Sequence, residues 1–151
     1  MKKLQIALIV IFVFLLVFVS FSISQSQDIK KLKAGMPNTV TLSNGEVVYD
    51  LNGEWNSFVE AYGPWSQYGT HRNIIKITQT GSSLVGILMM DDVWYSKGWV
   101  SIRAELDKSG FKKVEMMTNL GTLDSKGQIS DDGNKIIIDD GEKRRMTLTR
   151  K

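Results

Sequence analysis

An all-β chain, folded as an antiparallel up-and-down barrel or a strongly curved meander of about seven to nine strands, is predicted by three features of the sequence. Turn residues rich in Gly, Asn, Asp and Ser recur at hairpin spacing. Apolar residues alternate with polar ones at a period of two. No stretch beyond residue 25 keeps a helical apolar period for ten residues without a glycine interrupting it. A hydrophobic helix is predicted ahead of these strands.

That helix comes first. Lys2 and Lys3 are followed by a segment without charge from Leu4 to Gln27, continuously apolar from Ile6 to Val19. A basic start and a short apolar run form an export signal. The run is shorter than the roughly 20 residues of a spanning helix. Ser22 with Ser24, or Ser24 with Ser26, supplies the small-residue spacing of a cleavage site. With the flanks from Leu4 to Ile23 included, an uncleaved anchor is the alternative. The expected organisation is therefore a signal peptide or membrane anchor over residues 1–24, a polar linker over 25–38 and a barrel domain over 39–151. The domain is expected to be exported, periplasmic or extracellular, touching a membrane only through residues 4–23 if these stay attached.

The chain has no cysteine, which excludes a disulfide framework, a thioether lipid anchor and a thiolate nucleophile. Its formal charge of +3 falls to +1 once Lys2 and Lys3 are removed. Nucleic-acid binding calls for a clustered basic field and is not expected. The basic group Lys143-Arg144-Arg145, with Arg150 and Lys151, reads as the solvated face of a terminal strand, with a phosphate or anionic-lipid contact as the alternative.

Four hairpins follow from turn chemistry. Thr39 to Leu42 and Glu46 to Tyr49 flank Ser43-Asn44-Gly45. Asn73 to Gln79 and Leu84 to Met90 flank Thr80-Gly81-Ser82-Ser83, and Trp99 to Leu106 and Phe111 to Thr118 flank Asp107-Lys108-Ser109-Gly110. Lys135 to Ile138 and Arg145 to Thr149 flank Asp139-Asp140-Gly141-Glu142. Alternation turns Val100, Ile102, Ala104 and Leu106 to one face, and Met146 and Leu148 likewise, and these are predicted inward. The segment Ser57 to Tyr62 is the one that could turn helical, stopped by Gly63-Pro64.

The acidic stretch DDGNKIIIDDG, residues 131–141, fails the calcium-loop register: its third position from Asp131 is Gly133 and its sixth is Ile136. It reads as a short strand between two Asp-Gly turns. Adjacent Asp91 and Asp92 point to opposite faces of an extended chain, unlike a glycosidase pair, which must face one cleft. No catalytic residue, metal ligand or cofactor is assigned.

Candidate binding residues are Trp55, Met90, Asp92, Trp94, Tyr95, Trp99 and Met116. Rings beside carboxylates where a strand gives way to a loop form either a stacking platform at a cavity mouth or a lid packed on the barrel end. In each of the pairs Met89-Met90 and Met116-Met117 one thioether faces inward, lining a soft cavity or filling the core. Trp55, Phe58, Tyr62, Trp65 and Tyr68, running into His71, would cross a loop near one barrel end. His71, the sole imidazole, is expected to be a surface or hydrogen-bonded histidine, with metal or proton-transfer duty as the alternative.

Leu51-Asn52-Gly53-Glu54-Trp55 resembles the Gly-x-Trp strand opening of lipocalin-like and avidin-like barrels. The Ile77-Thr78-Gln79-Thr80-Gly81 hairpin with Leu84-Val85-Gly86, and the closing segment from Gly127 to Arg150, are similar to those of small secreted calycin-type domains. The resemblance covers about residues 50–151. It implies an up-and-down barrel with Trp55 packed across one end and an interior that takes a small ligand. The function expected is an exported ligand-binding or interaction module for a small apolar or amphipathic molecule or envelope component. A non-catalytic structural envelope protein and a hydrolase of a cell-envelope glycan are the alternatives.

Overall fold

Strands form where alternation and turn signals coincide, and tertiary pairing adds two more. The computed structural model describes Leu32, Gly35, Met36 and residues 38–151; the predicted helix and signal or anchor of residues 1–24, and most of the linker, lie outside the described residues. β1 (Thr39–Thr41) and β2 (Val47–Tyr49) pair as a small hairpin. β3 (Gly53–Ala61), β4 (Thr70–Thr80), β5 (Ser83–Leu88), β6 (Val100–Asp107), β7 (Gly110–Thr118), β8 (Gly121–Ile129), β9 (Lys135–Asp139) and β10 (Arg144–Arg150) then follow. These eight make a closed antiparallel barrel in chain order, β10 returning to pair with β3. Closure pairs every barrel strand with a neighbour on each side over at least part of its length, and the architecture is consistent with a calycin-like fold.

The two strands without hairpin signals of their own are β3 and β8. Of Ser57 to Tyr62, the one segment that could turn helical, residues 57–61 continue β3 because both neighbours hold them: Val59 pairs with His71 of β4 and Met146 of β10. The helical turn is displaced to a 3₁₀ segment, Gly63–Tyr68, where Pro64 suits a first turn. β8 carries Leu123, Ser125, Gly127 and Ile129 on its inner face, too weak an apolar series to announce a strand.

Inward positions follow the expected parity, with Ile102, Ala104, Leu106, Met146 and Leu148 all buried. Val100 departs from it. The register shifts between Gly86 and Ile87, so Val100 pairs with Ile87 and remains half-buried while Ser101 is buried beside it. A bulge of this kind re-aims side chains at a strand end.

Both acidic clusters act on their own turns. Asp132 Oδ1 accepts from the Asn134 amide at 3.0 Å, and its carboxyl is held down to about 2 by hydrogen bonds from Ser130 and Asn134. Asp140 Oδ1 accepts from the amides of Glu142, Lys143 and Arg144 at 3.0, 2.8 and 2.9 Å. The DDGNKIIIDDG stretch is thus a strand, β9, between carboxylate-stapled turns.

One barrel end is shut. Trp55 is fully buried there, its Nε1 donating to Leu51 O at 3.0 Å. The Arg150 guanidinium lies 4.6 Å over the ring and donates to Asn52 O at 2.9 Å and Asp50 O at 2.8 Å. The β1–β2 hairpin is fastened across this end. Gln79 bonds Tyr49 O and the Leu51 amide, both at 2.9 Å; Glu46 accepts from the Lys108 amide; Asn38 donates to Asp132 O. Leu32, from the segment assigned to the linker, joins the same core.

The opposite end is looser. β9 pairs with β8 only across Lys126 to Ile129, so residues 121–125 run on with β7 on one side and, among the described residues, no strand on the other. The interior changes in step: Ser57, Asn73, Ser101, Thr118 and Arg144 are buried polar residues toward this end, against a set of Ile, Leu and Trp toward the other.

Candidate functional site

The open end is built from five segments that converge: the β3 terminus with its 3₁₀ turn, the start of β4, the β5–β6 loop, the turn at 119–120 and the turn at 140–143. Together they enclose a cavity of about 120 Å³ lined by Trp65, Tyr68, His71, Trp94, Tyr95 and Arg144, with Ala61, Asn119 and Leu120 completing the wall.

The β5–β6 loop holds its shape through its acids. Asp92 Oδ1 accepts from the amides of Trp94 at 2.8 Å and Tyr95 at 2.7 Å, and the Asp92 amide returns a bond to Tyr95 O at 2.9 Å. Asp91 Oδ1 accepts from the Lys97 amide at 2.7 Å. Buried Asn73 donates from below to Met90 O at 3.3 Å. These bonds fix where Trp94 and Tyr95 project, so the carboxylates serve the loop backbone.

Aromatic contacts frame the mouth. Trp94 meets Tyr68 edge-on at 5.3 Å, Tyr68 meets Trp65 at 6.0 Å, and Tyr95 lies 5.2 Å from Trp99. Gly63, at a φ of +52°, lets the 3₁₀ turn approach the β9–β10 turn: a Cβ there would sit 2.4 Å from Glu142 O. Around the rim Val93 and Leu120 are 82% and 69% exposed, and Met90, Trp94 and Trp99 are exposed as well.

Electrostatically the cavity floor is cationic. Arg144 is only 5% exposed and lies 5.6 Å over the Tyr95 ring, and among the described residues its Nε has no hydrogen-bond partner. The solvated strand face expected of the basic group therefore does not hold at Arg144, because β10 turns this residue inward together with Met146 and Leu148. His71, half-buried in the same wall, is lowered from 6.5 by burial first and by the Arg144 charge second, with Asp92 opposing. It is neutral at pH 7, one nitrogen a donor and the other an acceptor.

Of the residues proposed from sequence, Trp94 and Tyr95 line the cavity, Asp92 braces them, and Trp99 and Met90 stand outside it on the rim. Trp55 lies at the closed end and Met116 is fully buried beside Ile102, so neither lines this cavity. Trp65, Tyr68 and His71 belong to the aromatic group expected near a barrel end. Arg144 and Leu120 had no place in the binding set; the signal for Arg144 was its parity with Met146 and Leu148.

The outer wall carries a second, wider groove of about 540 Å³ bordered by Glu60, Lys126, Asp139 and Arg145. Two of its charges, Asp139 and Arg145, are paired with each other. Arg145 Nε donates to Asp139 Oδ2 at 2.6 Å and the Tyr62 hydroxyl donates to Asp139. Burial and that hydrogen bond push Tyr62 up to about 12. Among the described residues no group of three His, Cys, Asp or Glu is placed to hold a metal ion, and no helix is long and apolar enough to cross a membrane. Comparison of the chain with protein-family models, with curated proteins and with solved structures found no match.

Proposed function

We propose that the barrel is a binding module for a small apolar or amphipathic molecule, taken at the open mouth between Trp65, Tyr68, Trp94 and Tyr95. One observation carries this reading: a ring of four aromatic side chains borders a cavity at the one barrel end that its own hairpin does not cover. Apolar walls with a few polar groups are the usual composition of a small-molecule site. The module works outside the cytoplasmic membrane in this reading, on the strength of Lys2, Lys3 and the apolar run Ile6 to Val19.

A structural envelope role is the second reading, favoured by the Trp94–Tyr68 and Tyr95–Trp99 ring contacts, which fill part of the mouth. Native mass spectrometry of protein recovered from its host, with tryptophan emission titrations against fatty acids, glycans and cell-wall fragments, separates the two. Binding predicts a co-purifying mass, or an emission shift that Trp94→Phe removes. No bound species and no shift across the panel puts the structural role ahead.

A further inference from the structure

β10 sends two arginines into the barrel, one to each end, and they are treated differently. Arg150 is held by backbone carbonyls: its Nη atoms donate to Asn52 O, Asp50 O and Gly133 O while the guanidinium covers Trp55. Arg144 covers Tyr95 in the same manner, yet among the described residues no carboxylate lies within ion-pair distance and its guanidinium donates no hydrogen bond. Asp140 accepts from three turn amides and Asp92 from two loop amides. Arg144 is only 5% exposed as a residue and its buried Nε, like that of Arg150, has no partner among the described residues, but unlike Arg150 it has no carbonyl holding its Nη atoms, and a cation so placed is costly unless something completes it. The cavity opens directly on it.

We propose that the mouth cavity is a site for a compact organic monocarboxylate, whose carboxylate pairs with Arg144 and whose flat apolar body lies among Trp65, Tyr68, Trp94 and Tyr95. The inference rests on the binding reading above and names the chemistry of the ligand. Three features select this class. Arg presents a planar fork that matches a carboxylate with two parallel hydrogen bonds. His71, neutral and in the same wall, has a ring N–H to offer a carboxylate oxygen. Size selects the body: an apolar cavity of about 150 Å³ takes one benzene, so a cavity of about 120 Å³ takes a single ring or a short acyl chain. Anything longer emerges between Trp94 and Leu120, where the rim is apolar and exposed. A polyanion is disfavoured, because among the described residues Arg144 is the one cation lining the space, and burial and the Arg144 charge lower His71 from 6.5.

The test uses the full chain, purified as its host delivers it, and titrates benzoate and indole-3-acetate against their neutral amides by calorimetry and tryptophan emission. Each acid should bind about tenfold or more tighter than its amide, the difference one charge-assisted bidentate contact makes. Arg144→Gln should remove that preference, acid and amide then binding with similar affinity, and Arg144→Lys should restore part of it. Equal affinity of acid and amide for the wild-type protein, which needs no variant, overturns the carboxylate assignment while leaving the mouth a ligand site. An acid preference that survives in folded Arg144→Gln also overturns it. Failure of both acids and both amides overturns it too, and if the wider panel of fatty acids and glycans is equally silent, the binding reading falls with it.

Discussion

β8 borders the mouth on its loosest side, so what fixes β8 also shapes the site. Its lower half is held by a close approach rather than by side-chain packing from both strands. The Phe111 ring of β7 lies directly over Gly127: a Cβ added at Gly127 would meet Phe111 Cδ2 at 2.3 Å, Cγ at 2.8 Å and Cε2 at 3.0 Å. Gly127→Ala therefore forces the ring off its seat. Over-packing of this kind costs about 1–3 kcal/mol. The backbone of Gly127 is not in the left-handed region, so without the ring the same substitution should help by about 0.5–1 kcal/mol, as alanine restricts the unfolded chain. In a Phe111→Ala background the sign reverses. The two steps together give a coupling of about 1.5–4 kcal/mol, large for a single contact pair. Urea denaturation of the four proteins in the cycle measures it, with the slope checked for constancy. If Gly127→Ala costs the same with and without the Phe111 ring, the ring does not rest on Gly127 and the account of β8 is wrong.

Three further outcomes follow from the same geometry. Trp55→Ala should lose about 3–5 kcal/mol by chemical denaturation, because a fully buried ring is removed from beneath Arg150; a loss below about 1 kcal/mol would show that the closed end does not depend on it. His71 has a folded value below 6.5, owing to burial and then Arg144. Between that folded value and 6.5 the unfolded chain binds a proton that the folded chain does not. Stability contributed by neutral His71 is thus complete above pH 6.5 and is lost as pH falls through this window. Thermal melts from pH 8 to pH 5 should show a downward step that His71→Gln flattens, and identical profiles would contradict the assignment. Gly63→Ala combines a left-handed φ with a 2.4 Å approach to Glu142 O. It should cost about 2–4 kcal/mol and raise the exposure of Trp65 to acrylamide quenching, whereas unchanged quenching would mean the 3₁₀ turn relaxes without leaving the mouth.

How much of this was legible in the sequence depends on the range over which each feature is determined. Turn chemistry and period-two alternation are local, and they locate β1, β2, β4, β5, β6, β7, β9 and β10 to within a few residues. β3 beyond Trp55 and β8 are strands by virtue of their neighbours: Glu60 and Ala61 are extended because Arg144 and Arg145 pair with them, a condition no window of a dozen residues contains. The register shift between Gly86 and Ile87, which moves Val100 off the inner face, is likewise set across two strands. The candidate site shows the same division. Trp94 and Tyr95 stand out locally as aromatics in a loop braced by Asp92, and they do reach the cavity wall. Met116 and Trp55 carry the same local character but sit lower in the barrel, and height along the barrel axis is a property of register and closure alone.

Arg144 is the instructive case, because its sequence context contains two signals that conflict. Flanked by Lys143 and Arg145, it belongs to a basic run, and such runs are ordinarily solvated. Counted by strand parity, Arg144, Met146, Leu148 and Arg150 share one face, and Met146 and Leu148 had already marked that face as inward. Parity outranks composition in a strand, since a closed barrel gives each side chain only two directions and a one-residue slip would expose Met146 and Leu148 together. Those two, both almost fully buried, would each forfeit about 1.5–3 kcal/mol of burial on such a slip. The charges at Arg144 and Arg150 cannot overturn that sum when each occupies a barrel end, where a guanidinium finds carbonyls, a ring face or an opening. Both ends of β10 are therefore obliged to accommodate an arginine. At one end three backbone carbonyls and Trp55 do so within the fold. At the other the guanidinium lies over the Tyr95 ring, and Arg144 lines the cavity that the aromatic residues border.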